Sequence, residues 1–362
     1  MAEIPGSEIE VTLPDVSTAQ RRRLLEDLLR GVSRTFYLTI RVLPASLRQP
    51  VGLAYLLARA ADTIADTRLV SPGQRLTHLL SLRDQVKGPA ALEPLQRIQQ
   101  GLTDQQSLPE ERTLLASLPA LCSLLEKSPE PDRSLVRWVV ETLTLGMEAD
   151  LTAFPPEDSG LLASLEHAAD LDFYAYQVAG CVGEFWTKIT MAHQPALKAW
   201  DGEHMSKTGV AFGKALQLTN VLRDVPKDLR IGRCYFPRAD LAGIGLSPED
   251  LLDPAKGPAA RPVLVAWIGT ALEHYASAEE YLIAIPRRCL RLRLAVLWPI
   301  LIGLATLARL ATNGSWLDPA HPSRVSRGWV YRTLALSGPC AYSNRLMRAW
   351  IGRLRRDVES AI

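Results

Sequence analysis

The sequence predicts an all-α protein. Helical periodicity covers most of the 362 residues, strand-like alternation is almost absent, and no internal repeat or long low-complexity tract interrupts the pattern. Apolar residues make up 47% of the chain and charged residues 22%, so a sizeable core can be buried. No connection is long or polar enough to separate two folding units. We therefore expect a flexible leader over residues 1–17 and a single helical domain over 18–362.

The helices are assigned from apolar residues recurring at helical spacing, and the connections from clusters of proline, glycine and polar residues. The predicted helices cover residues 18–31, 48–67, 72–86, 90–101, 109–126, 131–153, 164–193, 196–225, 258–284, 288–312, 325–337 and 343–358. The predicted connections are TDQQSLPEER (103–112), TAFPPEDSG (152–160) and GIGLSPEDLLDPAKGPAARP (243–262).

The longest apolar run is LAVLWPILIGLATLA (294–308), with fifteen residues between two arginines. A membrane-spanning helix needs about twenty apolar residues, so we interpret this run as a buried core helix with a proline kink. The N-terminal stretch MAEIPGSEIEVTLP has no basic region followed by an apolar one, so no signal peptide is predicted. Five scattered cysteines form no CxxC or CxH pair, which fits a reducing cytoplasm.

The net charge of +2 is too balanced to indicate a nucleic-acid partner. The last helix, SNRLMRAWIGRLRRDVESAI (343–362), is basic and amphipathic. Two interpretations remain open for it. It is either a packed terminal helix with solvated arginines, or a helix that rests on the anionic inner face of a membrane. The sequence is silent on oligomeric state.

Two pairs of aspartates stand out because each follows an apolar helical run. Asp62 and Asp66 lie in ARAADTIADT (58–67), and Arg59 shares their helix face. Asp224 and Asp228 repeat the spacing in QLTNVLRDVPKDLRIGRCYFP (217–237). A satisfied buried network or a solvated face explains either pair taken alone.

A metal site explains both pairs together. Gln217 and Asn220 extend the second pair into a polar stripe at steps of three, four and four. If the two helices face each other, four carboxylates line one cavity and need cations to offset their repulsion. Oxygen ligands suit Mg²⁺, which shares its coordination with substrate phosphates. The arginines that can bind phosphate oxygens are Arg34, Arg59, Arg223 and Arg233.

Pro226 lies between the two aspartates of the second pair. Because proline removes one helical hydrogen bond and clashes with the preceding turn, the helix is expected to kink or end there.

These motifs resemble those of the squalene/phytoene synthase family, the head-to-head prenyltransferases. The resemblance runs from about residue 30 to 340 and is carried, in the family's order, by SRTFYLTIRVLP (33–44), YLLARAADTIAD (55–66), YAYQVAGCVGE (174–184) and LQLTNVLRDVPKDLRIGRCYFP (216–237). It implies the isoprenoid synthase fold, a single helical domain around a central cavity.

The resemblance also implies roles for individual residues. The four aspartates would bind Mg²⁺ and diphosphate, and Tyr174 would handle a proton or stabilise a cation. The residues implied in substrate binding are Ser33, Arg34, Phe36, Tyr55, Arg59, Gln217, Asn220, Arg223 and Arg233. Arg324 and Arg327 lie in a basic segment that resembles the NADPH-linked segment of squalene synthases. Ala65, Lys227 and Ala175 depart from the family, since the first two replace acids and the third a common cysteine.

The implied reaction condenses two farnesyl diphosphates to presqualene diphosphate and then reduces that intermediate with NADPH to squalene. The open alternatives are a dehydrosqualene or phytoene synthase, and an enzyme that stops at presqualene diphosphate or forms hydroxysqualene. A non-enzymatic lipid-binding helical protein is a further alternative, which the four aspartates and Tyr174 disfavour. A head-to-tail prenyltransferase or terpene cyclase is disfavoured because Ala61 and Thr63 flank Asp62, where those enzymes carry Asp-Asp-x-x-Asp.

Overall fold

The computed structural model describes residues 12–33, 36–103, 106 and 108–362. Within that part of the chain, α-helices carry the fold, and two strands of two residues each, β1 (Ala163–Ser164) and β2 (Arg233–Cys234), pair in parallel. The all-α prediction is therefore confirmed. In chain order the α-helices are α1 (Thr18–Arg22), α2 (Leu29–Ser33), α3 (Phe36–Val42), α4 (Ala45–Asp66), α5 (Pro72–Lys87), α6 (Leu92–Leu102), α7 (Pro109–Ala116), α8 (Leu118–Glu126), α9 (Asp132–Ala153), α10 (Ala168–Ala175), α11 (Cys181–His193), α12 (Gly202–Leu229), α13 (Arg238–Ala242), α14 (Gly257–Ala284), α15 (Leu290–Ala311), α16 (Arg327–Cys340) and α17 (Asn344–Glu359).

The described residues fall into two compact units. The first unit holds residues 12–33 and Gly52–Thr144, and leucines from α4 to α8 such as Leu57, Leu79 and Leu121 are fully buried in it. The second unit holds residues 36–51 and Leu145–Ile362. In it, α12 packs against α11, α14 and α15. The single domain predicted over residues 18–362 stays a prediction.

Helix boundaries differ from the sequence prediction in four places. The short helix α3 was not predicted, and the helix predicted over 109–126 is divided into α7 and α8, which meet at Ser117. A π-helical segment, Tyr176–Gly180, separates α10 from α11 inside the helix predicted over 164–193. The most important difference concerns α12, which continues through Pro226 to Leu229. The helix was expected to kink or end at this proline; the end was wrong, and the kink stays a prediction.

The apolar run 294–308 lies in α15, which is confirmed as a buried helix. Among the described residues, α15 alone is long and apolar enough to cross a membrane, and 67% of its most apolar window is buried inside the protein. The helix continues through Pro299. Its neighbours include α12, α14 and α17, so this apolar surface serves the core of the second unit.

The terminal helix α17 packs by its apolar side. Met347, Ile351 and Val358 are buried, and α17 lies against α15 and α14. Several of its arginines, such as Arg345 and Arg353, are exposed. This arrangement matches the first interpretation of 343–362, a packed helix with solvated arginines.

Helices α11 and α12 cross at backbone contact distance. A Cβ built on Gly183 would lie 1.8 Å from the carbonyl oxygen of Gly209, and one built on Gly213 would lie 2.2 Å from that of Ala179. No side chain fits in such a gap, because real Cβ contacts are far longer. Gly183, Gly209 and Gly213 therefore serve close helix packing.

Candidate active site

The first aspartate pair lies at the C-terminal end of α4. Asp62 forms an ion pair with Arg59, three residues earlier on the same helix face. The other end of the Arg59 guanidinium donates through Nη2 to Oε1 of Glu111 on α7, at 2.8 Å. The three side chains thus form an acid–base–acid row in the first unit. Asp66 is the last residue of α4, and its side chain is exposed.

The two acids of this row carry more negative charge than Arg59 alone neutralises. Burial and the nearby Asp66 carboxylate raise the pKa of Asp62 to about 6, although Arg59 opposes the shift. Burial favours a lower pKa for Arg59, but the charges of Asp62 and Glu111 raise its pKa overall. A carboxyl with a raised pKa lies where an additional cation would be stabilising.

Two further predicted residues belong to the first unit: Ser33, at the end of α2, and Tyr55, in the middle of α4. Ser33 is buried and its hydroxyl donates to the carbonyl of Leu29 within α2. Tyr55, on α4, donates to the carbonyl of Val32 at 3.5 Å. Arg34 lies outside the described residues, so its predicted role stays a prediction.

The second aspartate pair lies on α12, together with the rest of the predicted polar stripe. Because the helix is continuous through Pro226, Asp224 and Asp228 stand one turn apart on one face. Arg223 donates through Nε to Oδ1 of Asp224 at 2.9 Å, and its Nη2 pairs with the other oxygen. Gln217 is half-buried and Asn220 is exposed. The Asp224 hydrogen bond and charge raise the pKa of Arg223, so this arginine stays charged.

Asp228 is the second carboxyl with a raised pKa. Burial and the charge of Asp224 raise its pKa to about 7, against the opposing charges of Lys227 and Arg233. Asp150, on α9, adds a further negative charge near it. As at Asp62, a divalent cation near this carboxylate would offset the repulsion.

Tyr174 belongs to a chain of hydrogen bonds in the second unit. Its hydroxyl donates to the Tyr235 hydroxyl at 3.2 Å, and Tyr235 donates to Oδ2 of Asp150 at 2.7 Å. The two tyrosine rings stack with centroids 4.8 Å apart, and Phe154 contacts the far ring edge-on at 5.1 Å. Burial and the Asp150 charge raise the pKa values of both tyrosines, so both are neutral phenols. Tyr174 stands in the last turn of α10, directly before the π-helical segment, a deviation often found at functional sites.

Arg233 forms ion pairs with two acids at the Asp150 end of this hydrogen-bond chain. Its Nη1 donates to Oδ2 of Asp150 at 3.0 Å, and its Nη2 pairs with Glu157 at 3.3 Å. Gly232, directly before Arg233, turns the backbone at φ +83° between α12 and β2. A Cβ there would lie 2.6 Å from the carbonyl oxygen of Leu161, so both the backbone angle and the space require glycine.

Three functional-site candidates escaped the sequence analysis: Glu111, Asp150 and Tyr235. Tyr235 was within reach, because it lies inside the motif quoted up to residue 237. Glu111 and Asp150 carry no such signal, because each pairs with an arginine that is distant in the sequence. Glu111 lies 52 residues from Arg59, and Asp150 lies 83 residues from Arg233.

The remaining predicted residues lie at the surface of the second unit. Phe36, the first residue of α3, is 38% exposed. Arg324 and Arg327 are also exposed, and Arg327 begins α16 directly after the capping residue Ser326. No ion pair involving these two arginines is formed within the described part of the chain, so their charges are available for an anion.

The donor chemistry of the two aspartate pairs fits Mg²⁺. Each pair supplies carboxylate oxygens one turn apart, and one carboxyl of each has its pKa raised by burial and by its neighbour. Across the described residues, no three His, Cys, Asp or Glu side chains gather as a complete metal cage. A pair of carboxylates is what Mg²⁺ uses when water and substrate phosphates complete its coordination. That both pairs share one cavity stays a prediction.

Solved structures establish the class of fold. TcSQS in complex with a ligand superposes with a TM-score of 0.72 at 21% identity, over 94% of this chain and 98% of that one. The squalene synthase HpnC from Alicyclobacillus acidocaldarius gives a TM-score of 0.54 at 18% identity, over 77% and 90%. The chain therefore has the all-α isoprenoid synthase fold.

The sequence profile named squalene/phytoene synthase matches residues 29–329. The chain belongs to the squalene/phytoene synthase family, whose members are enzymes of the prenyltransferase type. Among its relatives, a presqualene diphosphate synthase from Rhodopseudomonas palustris is 30% identical over 72% of this chain and 78% of its own. A squalene synthase from Yarrowia lipolytica is 27% identical over 73% and 56%. A bifunctional lycopene cyclase/phytoene synthase from Gibberella fujikuroi is 29% identical over 72% of this chain, which spans only 42% of that relative.

Proposed function

We propose that this enzyme is a squalene synthase, which joins two farnesyl diphosphates head to head to form presqualene diphosphate and then reduces that intermediate to squalene. The observation that carries the proposal is the repeated arrangement of an arginine-paired aspartate with a second aspartate one turn later, on α4 and again on α12. Diphosphate is the leaving group that such paired acids and arginines suit.

The aspartate pairs would hold Mg²⁺, which when bound supplies Lewis-acid stabilisation of the departing diphosphate. Arg59, Arg223 and Arg233 lie beside carboxylates, and their guanidinium groups would also bind the oxygens of the diphosphate. In the first half-reaction the C1–O bond of one farnesyl diphosphate breaks. The resulting allylic cation adds to the double bond of the second molecule, and a proton leaves as the cyclopropane closes.

Tyr174 is suited to receive that proton. Its hydroxyl donates outward to Tyr235, so a lone pair on its oxygen remains to accept a proton or to stabilise positive charge. Tyr235 in turn donates to Asp150, whose carboxylate can take up the transferred charge. A proton accepted at Tyr174 would thus shift one proton along the chain of three groups, and no bare phenolate would form.

The second half-reaction would use the exposed basic segment that contains Arg324 and Arg327. NADPH, when bound, supplies the hydride, and the two arginines would hold its phosphates. A second candidate function ends before this step, and it is favoured by the relative from Rhodopseudomonas palustris that is named a presqualene diphosphate synthase.

Product analysis by gas chromatography tests the proposal. The enzyme is incubated with farnesyl or geranylgeranyl diphosphate and Mg²⁺, with and without NADPH. We expect squalene only from farnesyl diphosphate with NADPH. Presqualene diphosphate as the sole product under both conditions would favour the second candidate, and phytoene from the longer substrate would refute the choice of chain length.

Substitutions separate the two half-reactions. Asp62→Asn and Asp224→Asn are expected to abolish diphosphate release with modest loss of stability, whereas Asp172→Asn, at an exposed acid paired with Lys214, leaves it unchanged. Arg327→Ala is expected to let presqualene diphosphate accumulate while its formation continues. The matched control is Arg309→Ala, at an exposed arginine of α15. Unchanged squalene output by Arg327→Ala at low NADPH would contradict the cofactor assignment.

A further inference from the structure

Helix α16 exposes two of its large apolar residues. Tyr331 is 63% exposed and Leu336 is 57% exposed. The residues that α16 buries are Thr333 and Ser337, and the Ser337 hydroxyl accepts a hydrogen bond from Nε1 of Trp298 at 2.7 Å. A helix on a water-exposed surface normally shows the opposite pattern. The exposed side chains of α16 therefore suit contact with something less polar than water.

The apolar surface continues into the first turn of α17. Tyr342, between the two helices, is 62% exposed, and Leu346 is 50% exposed. Large exposed apolar residues occur singly elsewhere in the described chain, but four of them fall within the sixteen positions 331–346. Several large exposed apolar residues so close together in the chain indicate an interaction site.

The charged residues in this stretch of the sequence all have one sign. From residue 319 to 356 the sequence contains eight arginines and no aspartate or glutamate. Arg332 and Arg345 lie directly beside Tyr331 and Leu346, and both are exposed. Neither arginine forms an ion pair with any of the residues that the structure describes. We call these two arginines, with Tyr331, Leu336, Tyr342 and Leu346, the α16 patch.

We propose that the α16 patch docks on the surface of an anionic lipid bilayer. Aromatic and leucine side chains that project from a helix insert at the boundary between headgroups and acyl chains, and neighbouring arginines are attracted to anionic headgroups. Self-association explains the patch less well, because a symmetric contact would bring arginines of both copies together without acids to pair them. The packed side of α17 contributes nothing to this contact, since its apolar residues are already buried.

The patch lies next to Arg327, at the start of α16, so docking would place the basic segment near the membrane. If the enzyme makes a very apolar product, docking would allow that product to be released directly into the membrane. The inference itself does not depend on that reaction, because vesicle binding is measured without substrate.

Vesicle flotation tests the proposal. The full chain is mixed with vesicles of phosphatidylglycerol and phosphatidylcholine, or of phosphatidylcholine alone. We expect flotation with the anionic vesicles only, and its loss at high salt because the electrostatic part is screened. Two double variants are compared with wild type: Tyr331→Ser with Leu336→Ser, and Arg332→Glu with Arg345→Glu. Each is expected to weaken binding about tenfold or more.

Matched controls remove equivalent groups elsewhere. Leu69→Ser with Leu252→Ser deletes two leucines that are 52% and 42% exposed, and Lys198→Glu reverses an exposed charge outside the patch. Circular dichroism confirms that each variant is folded. The proposal is overturned if wild type fails to float with anionic vesicles or if both patch variants float as well as the controls. It is also overturned if wild type sediments as a dimer that the patch variants dissociate without any vesicle binding.

Discussion

Removing one oxygen atom from Tyr235 tests the hydrogen-bond chain that ends at Tyr174. The Tyr235 side chain is only 7% exposed, and its hydroxyl lies 2.7 Å from Asp150 and 3.2 Å from the Tyr174 hydroxyl. Tyr235→Phe keeps the ring, and with it the stacking on Tyr174 and the edge contact with Phe154. The substitution therefore isolates the two hydrogen bonds.

The expected magnitudes follow from what each partner loses. Asp150 loses a hydrogen bond to a charged acceptor, of about 1.5–3 kcal/mol, and Tyr174 loses a neutral one of about 0.5–1.5 kcal/mol. Asp150 keeps its ion pair with Arg233, so we expect the free energy of unfolding to fall by about 2–4 kcal/mol. Because Tyr174 would lose its orientation and its proton outlet, kcat should fall about a hundredfold, with KM little changed.

Tyr281→Phe is the matched control. Tyr281 is 1% exposed, and its hydroxyl hydrogen-bonds Thr187 at 3.0 Å in the same unit. It loses the same atom and a comparable hydrogen bond, so its stability should fall while kcat stays near wild type. The assay is steady-state diphosphate release from farnesyl diphosphate, paired with urea unfolding. Equal kcat losses in the two variants, or a wild-type kcat in Tyr235→Phe, would refute the positioning role.

Three further predictions concern stability. In magnesium-free buffer, the native Asp228 carboxyl keeps its proton up to about pH 7, whereas the unfolded chain releases it near the ordinary aspartate pKa of about 3.9. Unfolding free energy should therefore fall by up to about 1.4 kcal/mol per pH unit between these values, and Asp228→Asn should flatten that slope; parallel pH profiles for the two proteins would contradict it. Gly303→Ala should destabilise the protein by about 1–3 kcal/mol, because the new Cβ would lie 1.7 Å from the Tyr275 hydroxyl oxygen. Tyr275→Phe should restore part of that loss in urea unfolding, and additive losses would rule out the clash. Arg293→Met should raise the free energy of unfolding by about 1 kcal/mol or more, because Arg293 is fully buried with Nε and Nη1 unpaired. A lower unfolding midpoint would show that the hydrogen bond from Arg293 to Asn344 stabilises the protein more than the two unpaired nitrogens destabilise it.

Local patterns in the sequence were sufficient to predict the helices and the acid pairs. Asp62 with Asp66, and Asp224 with Asp228, stand out because spacing along one helix is a property of the sequence itself. The same holds for the buried helix α15, whose fifteen-residue apolar run is short for a membrane. Pro226 shows the limit of local rules. Proline costs one hydrogen bond, but α12 is packed against α11, α14 and α15, and that packing outweighs the local cost.

Pairings between distant parts of the chain could not be predicted from one sequence. Asp150 and Glu157 meet Arg233 only because α9 and the segment after it return to β2. The outward face of α16 was missed for another reason. Its sequence, RGWVYRTLALSGPC, shows apolar residues at helical spacing, and such a pattern by itself does not say which face the protein covers.

The contact between Gly183 and Gly209 fixes the register of α12. If α12 slid or rotated, its backbone would collide with that of α11. The crossing therefore fixes the position of α12 along its axis. Asp224 lies fifteen residues further along, about 22 Å at 1.5 Å per residue. Attempts to alter substrate length should leave Gly183 and Gly209 unchanged and vary other side chains of α12. A methyl group added at the crossing would displace the whole helix, including its acidic end at Asp224.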